Sequence, residues 1–187
     1  MKTQKKLGIL ALVLAVGIAF IACQSKPKAI TLKVGDNWGA SHPMSAATDN
    51  VFKKQIEEKT KGAIKVEVYH DGALGNEADL WNAVRNGSLE VAVVGTAMNQ
   101  EYTTMLIADW PFLYRDLAHA KAVWTGDIAE EINAEFHQKF PSVYVLSWAP
   151  NSARTFTSNK PLAKPADFKG QKFRMPNNPI HVGIAQN

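Results

Sequence analysis

One cysteine in 187 residues, Cys23, excludes an intrachain disulfide and any thiolate-rich metal cluster. The sequence also has no glycine-rich phosphate loop, no Gly-x-Ser-x-Gly elbow and no His-Glu-x-x-His pair. Nucleotide binding, serine-hydrolase and zinc-protease chemistry therefore lack their usual signatures. The five histidines (His42, His70, His119, His137, His181) stand singly, and each reads as solvated or locally hydrogen-bonded. Glu57-Glu58 and Glu130-Glu131 are adjacent on predicted helices, where neighbours point about 100° apart, so they read as solvated surface rather than an acid–base pair. Excess charge is missing too. Twenty-one Lys and Arg face seventeen Asp and Glu, but Lys2, Lys5 and Lys6 lie within the first six residues. Without residues 1–22, the remaining 165 residues carry eighteen cations against seventeen anions, a net +1 that leaves no basic stripe for nucleic acid. Nothing calls for a cofactor or a metal.

The longest apolar run, Leu7 to Ala22, has sixteen uncharged residues, short of the roughly twenty that a spanning helix needs. With its cationic start it reads as a cleaved export signal over residues 1–22. Phe20-Ile21-Ala22-Cys23 resembles a bacterial lipoprotein signal, although Phe20 stands where leucine is usual. Cys23 is then the expected lipidation site, residues 23–29 are a polar tether, and the protein is expected in the periplasm or cell envelope on a lipid anchor.

From residue 30 the apolar period alternates between two and about 3.6. Ile30, Leu32 and Val34 predict a strand, and Ser41-His42-Pro43 predicts a helix start. Met44, Ala47, Val51, Phe52 and Ile56 predict that helix's buried face. Ile64, Val66 and Val68 predict a second strand, and Asn76 caps a helix through Leu80, Trp81 and Val84. Leu89 to Val94 predicts a strand buried on both faces. This order implies parallel strands joined by crossovers, an α/β fold. Two further helices are marked by Leu117, Ala120 and Trp124, then by Ile128, Ile132 and Phe136. Val143–Trp148, Thr155–Ser158 and Lys172–Met175 read as strands, and a helix begins after Pro179.

Beyond the leader there are four arginines. Arg85 ends a predicted helix, where a cation complements the dipole, and Arg115 precedes the next helix. Arg154 and Arg174 lie in strand-like segments instead. Alternation puts Phe173 and Met175 on one face and Arg174 on the other, toward water or a cleft. A guanidinium held there is a two-pronged donor for a carboxylate.

Several stretches occur in a familiar order: Val34-Gly35-Asp36-Asn37 with Ser41-His42-Pro43, Leu74-Gly75-Asn76-Glu77, Asn86-Gly87-Ser88-Leu89-Glu90, and Trp110-Pro111-Phe112-Leu113-Tyr114-Arg115-Asp116. They continue with Asn151-Ser152-Ala153-Arg154, Asp167-Phe168-Lys169-Gly170 and Phe173-Arg174-Met175-Pro176-Asn177. Together they resemble the extracytoplasmic solute receptors of tripartite ATP-independent periplasmic (TRAP) transporters, the DctP-like group. The resemblance implies a periplasmic-binding-protein-like fold of two lobes, each with a central sheet flanked by helices. It also implies capture of a small organic acid, a dicarboxylate or related carboxylate, for membrane permease subunits. In that family an arginine at the position of Arg174 grips the ligand carboxylate and one at the position of Arg154 assists. Asn37 and Glu77 match cleft-lining positions, and Trp38, Asn151 and Asn177 flank them. The sialic-acid branch has an acidic residue after its third strand. Gly95-Thr96 stands there in this sequence, which favours a simple carboxylate over a sugar acid.

The family's receptors continue far beyond the position of Asn187. The expected organisation is a first lobe over 30–150 and the start of a truncated second lobe over 151–187. Rival readings are a non-transporting receptor fragment or sensor lobe, and a secreted enzyme. The lack of any nucleophile–base arrangement argues against an enzyme.

Overall fold

The computed structural model describes residues 29–186. The sequence-based signal peptide and Cys23 lie outside them. Three strands form one parallel sheet in the order β2-β1-β3, with β1 at Ile30–Gly35, β2 at Ile64–Tyr69 and β3 at Val91–Ala92. β1 pairs with β2 from Ile30↔Ile64 to Gly35↔Tyr69, and with β3 at Val34↔Val91 and Gly35↔Ala92. Val34 and Val66 are the fully buried strand side chains, while Thr31, Lys33, Lys65 and Glu67 face outward as a period of two requires.

The third strand is shorter and less buried than its apolar run suggested. Leu89 is buried, but Val91 to Val94 are only half-buried. Upstream, the Lys33 backbone N–H donates to the Glu90 carboxylate (2.9 Å), so a side chain takes over where a longer ladder would have continued.

Between β1 and β2 runs a helix in three parts: α1 (Pro43–Ala47), a π-helical stretch (Thr48–Lys53) and α2 (Lys54–Lys59). Its N-cap is His42 rather than Ser41, with His42 Nδ1 accepting from the Met44 N–H at 3.2 Å. The π turn shifts the face that the 3.6 period had assigned. Ser45 and Thr48 are buried, whereas Ala47 and Val51 are exposed. Glu57, read from sequence as solvated surface, accepts from the Val66 N–H of edge strand β2 at 3.1 Å.

Helix α3 (Glu77–Arg85) follows a capping box: Asn76 Oδ1 accepts from the Ala78 and Asp79 N–H groups, and Asp79 accepts from the Asn76 N–H. Arg85, its last residue, is ion-paired with Glu101. Leu80 of α3 presses on the end of β1. A Cβ at Gly35 would stand 2.7 Å from Leu80 Cδ2, so only glycine allows that approach.

Two 3₁₀ segments (Ala97–Gln100 and Thr103–Asp109) lead to helices α4 (Leu117–Trp124) and α5 (Asp127–Lys139). The main core joins Trp81, Met98, Tyr102, Met105, Trp124, Ile132, Phe136 and Val143. Edge-to-face ring contacts organise it, Trp81 on Phe140 at 5.0 Å and Tyr102 on Phe136 at 5.4 Å. The Tyr102 hydroxyl lies 2.8 Å from Glu135 Oε2. Burial first, and that carboxylate second, push its pKa to about 12, so the phenol stays neutral inside the core.

Three predicted strands do not form. Val143–Trp148, Thr155–Ser158 and Lys172–Met175 belong to no ladder among the described residues. Their alternation survives without pairing. Val143 is buried beside exposed Tyr144, and Phe173 and Met175 are half-buried around exposed Arg174. A period of two sets faces, but a strand also needs a neighbour to take its N–H and C=O groups. In this stretch the rings of Phe156, Phe168 and Phe173 cluster at 5.0–5.4 Å. The last helix, α6 (Pro179–Gln186), begins where Pro179 predicted it.

Candidate ligand-binding site

In open parallel sheets, groups that bind ligands collect beyond the carboxyl ends of the strands. Here that rim holds Asp36, Asn37 and Trp38 after β1, His70 after β2, and Gly95 and Thr96 beyond β3. The Asn37 Nδ2 group donates to the Gly75 carbonyl (3.0 Å), while its buried Oδ1 has no partner. Trp38 stacks on His42, with ring centroids 5.2 Å apart and planes 13° apart.

Glu77, at the start of α3, reaches the same rim. Its Oε1 accepts from the Gly95 N–H at 3.3 Å, and a Cβ on Gly95 would meet both carboxylate oxygens within 3.4 Å. An acidic group therefore does stand beside the third strand's end, delivered by a helix rather than by the strand's own sequence. Gly95-Thr96 in the sequence thus does not disfavour a sugar acid.

The other predicted residues are not gathered to this rim. Asn151 is exposed, and its Oδ1 accepts from the adjacent Ser152 N–H, a local turn. Arg154 and Arg174 are exposed and make no hydrogen bond or ion pair among the described residues. Asn177 is exposed too. Its neighbour Asn178 is the buried one: the Asn178 Nδ2 group donates to Asp109 Oδ2 (2.7 Å) and lies 3.3 Å from Thr96 Oγ1. Asn178 Oδ1 caps α6 by accepting from the Ile180 N–H, and His181 Nε2 lies 3.2 Å from Asp109 Oδ1. Asn178 thus ties the segment that carries Arg174 to the end of the third strand, four residues after that arginine.

Sequence reasoning missed two polar clusters, Thr96–Asp109–Asn178–His181 and Asp36–Asp49–His70. Standing singly in the sequence, both histidines read as solvated or locally bonded. Instead His181 is buried, and His70 bridges residues 34 and 21 positions away. The one available signal was position, since Asp36 and His70 directly follow strand ends.

Two shallow apolar cavities are present among the described residues. One of about 330 Å³ includes Trp110, Pro111, Pro179 and Ile180, and one of about 260 Å³ includes Ile107, Leu113 and Ile128. Neither is lined by a predicted ligand residue. Among the described residues no three His, Cys, Asp or Glu side chains are grouped to hold a metal ion, and no helix is long and apolar enough to cross a membrane.

A parallel α/β sheet with polar groups ranged along its carboxyl rim is an arrangement that binds small molecules at that rim. Residues 34–187 match the family model for DctP, bacterial extracellular solute-binding protein family 7, and the chain belongs to that family. A solved TRAP periplasmic solute binding protein from Haemophilus influenzae, with bound L-gulonate, superposes with a TM-score of 0.79 at 31% identity, over 84% of this chain and 51% of that one. Another from Chromohalobacter salexigens, with bound D-glucuronate, gives 0.76 at 26% identity over 83% of this chain and 51% of that one. The 2,3-diketo-L-gulonate-binding periplasmic protein YiaO of Escherichia coli is 31% identical over 133 residues, 70% of this chain and 40% of that protein. The chain spans about half the length of the relatives it matches.

Proposed function

We propose that this chain is the receptor portion of a TRAP-type secondary transporter, which captures a small hydroxylated organic acid outside the inner membrane and passes it to permease subunits. It acts as a receptor in the periplasm and not as an enzyme, tethered by a lipid on Cys23. Arg174 takes the ligand carboxylate in a bidentate pair and Arg154 assists. Asn37, Trp38 and Glu77 form the opposing wall, with Asn151 and Asn177 at its margins. The division into a first lobe over 30–150 and a second from 151 is part of the same reading.

One observation carries it: a carboxylate on one wall, Glu77 over Gly95, and on the other segment two arginines that have no partner among the described residues. The free acceptor of Glu77 is matched by a hydroxyl, whereas a second carboxylate on the ligand would meet like charge. A monocarboxylate with several hydroxyls therefore fits better than succinate. The sugar acids bound by the related proteins point the same way.

Titration calorimetry on a receptor of its relatives' full length tests this, with L-gulonate, D-glucuronate and succinate. The sugar acids are expected to bind and succinate to bind at least ten times more weakly, roughly the factor expected for one unfavourable charge contact. Tighter binding of succinate than of either sugar acid overturns the choice of ligand.

A further inference from the structure

His70 has a carboxylate on each ring nitrogen. Nδ1 lies 2.7 Å from Asp36 Oδ2 and Nε2 lies 3.0 Å from Asp49 Oδ2. An ionised carboxylate only accepts, so both nitrogens must donate, which only the imidazolium does. A neutral ring would turn one lone pair toward a carboxylate at contact distance.

Asp36 has no exposed side-chain surface, and its remaining bonds hold the binding rim. Its Oδ1 accepts from the Trp38 N–H at 3.1 Å, and Oδ2 also accepts from Ser45 Oγ, which lies 3.4 Å from the Trp38 carbonyl. The Asp36 carbonyl accepts from Gly72 N–H and the Trp38 carbonyl from Asp71 N–H. Asn37 sits between these fixed points. Asp49 comes from the π-helical stretch, so the ring joins the ends of β1 and β2 to the helix between them.

We infer that His70 is a positioning residue, whose imidazolium neutralises buried Asp36 and thereby fixes the Asn37–Trp38 wall, coupling ligand capture to the proton on His70. This rests on the reading of that wall as ligand-facing. The charged groups bonded to the ring are Asp36 from β1's end and Asp49 from the helix. Asp71 in the adjoining turn lies beside Gly39, and His42 faces Trp38 rather than the ring. Desolvation alone pulls the His70 pKa down, but hydrogen bonds to Asp36 and Asp49 outweigh it and leave the pKa above 6.5.

Nitrogen-15 NMR of histidine-labelled chain, without ligand, reads the charge state directly. The expected result is two protonated ring nitrogens on His70 at pH 7, with the Trp38 amide and Asn37 side-chain amide shifting at the same midpoint. Asp49→Asn should lower that midpoint, and His70→Gln should abolish the shared pH response of Trp38 and Asn37. A neutral single tautomer at pH 7, or amide shifts indifferent to His70, overturns the inference. In a second arm L-gulonate is titrated into the receptor of its relatives' full length on either side of the midpoint, and affinity should fall at least threefold on the alkaline side. Measurable binding that ignores the midpoint overturns the coupling. Complete absence of binding, with the NMR result intact, counts instead against the ligand reading and leaves the positioning of the wall standing.

Discussion

Residues 30–142 and residues 143–178 contain equally good alternating sequences, yet only the first region turns them into a sheet. Ile30–Gly35 lies between two partners, whereas Lys172–Met175 has none among the described residues. In the first region burial and pairing reinforce each other: Val34 is sealed on its face, and its backbone is satisfied by β2 and β3. In the second, Phe156, Phe168 and Phe173 supply apolar contact without a ladder, and Phe156 remains 42% exposed. Side-chain pattern decides which face turns inward, but strand formation is a property of at least two segments.

Core truncation should expose this contrast most strongly. Phe136→Ala removes a ring that is 1% exposed and should cost about 3–5 kcal/mol, measured by urea unfolding. Phe156→Ala should cost about 1 kcal/mol or less, since much of that ring already meets water. Equal losses would mean that the two regions share one cooperative core. Arg174→Ala should leave unfolding unchanged but weaken sugar-acid binding by about 1.5–3 kcal/mol in calorimetry on the full-length receptor, as for a lost charge-assisted hydrogen bond.

Asn178→Ala breaks the link between the regions and removes the cap of α6. A loss of about 1–3 kcal/mol in unfolding is expected, with faster amide exchange in 179–186 and little change in β1. Titration gives a smaller and opposite signature. The pKa of His70 in the folded state is above its ordinary value, so its stabilisation is complete below pH 6.5 and fades as pH rises through the raised value. Unfolding midpoints measured from pH 6 to 9 should decline for the native chain and stay flat for His70→Gln. Asn76→Ala, which removes only a local capping box, should cost about 1 kcal/mol.

Local physics made much of the first region legible. Asn76 as a cap, the period-two patterns at Ile30 and Ile64 and the start of α6 at Pro179 are each written in neighbours within four residues. The π turn was not legible, because Thr48–Lys53 carries no residue that demands it, and its effect is to expose Val51 where a regular period buries it. The candidate site was legible only through family resemblance. Asn37 and Glu77 meet at the rim, but the bonds that hold them run between residues such as Asp36 and His70, or Thr96 and Asn178, 82 positions apart. No periodicity encodes a pair so distant. Asn178 was overlooked in favour of Asn177, one position away, because two successive asparagines differ only in which way the backbone turns them.

The π-helical stretch between Ser45 and Ile56 is one residue too many wound into a single cylinder. It lets the helix obey two phases: the early half offers Ser45 and Asp49 to the polar rim, and the later half brings Glu57 to β2. Excising a single residue there would leave a smoother helix, yet swing one half by about 100° against the other. Asp49 and Glu57 could then no longer both reach their partners, so the irregularity is what allows one rod to serve two walls.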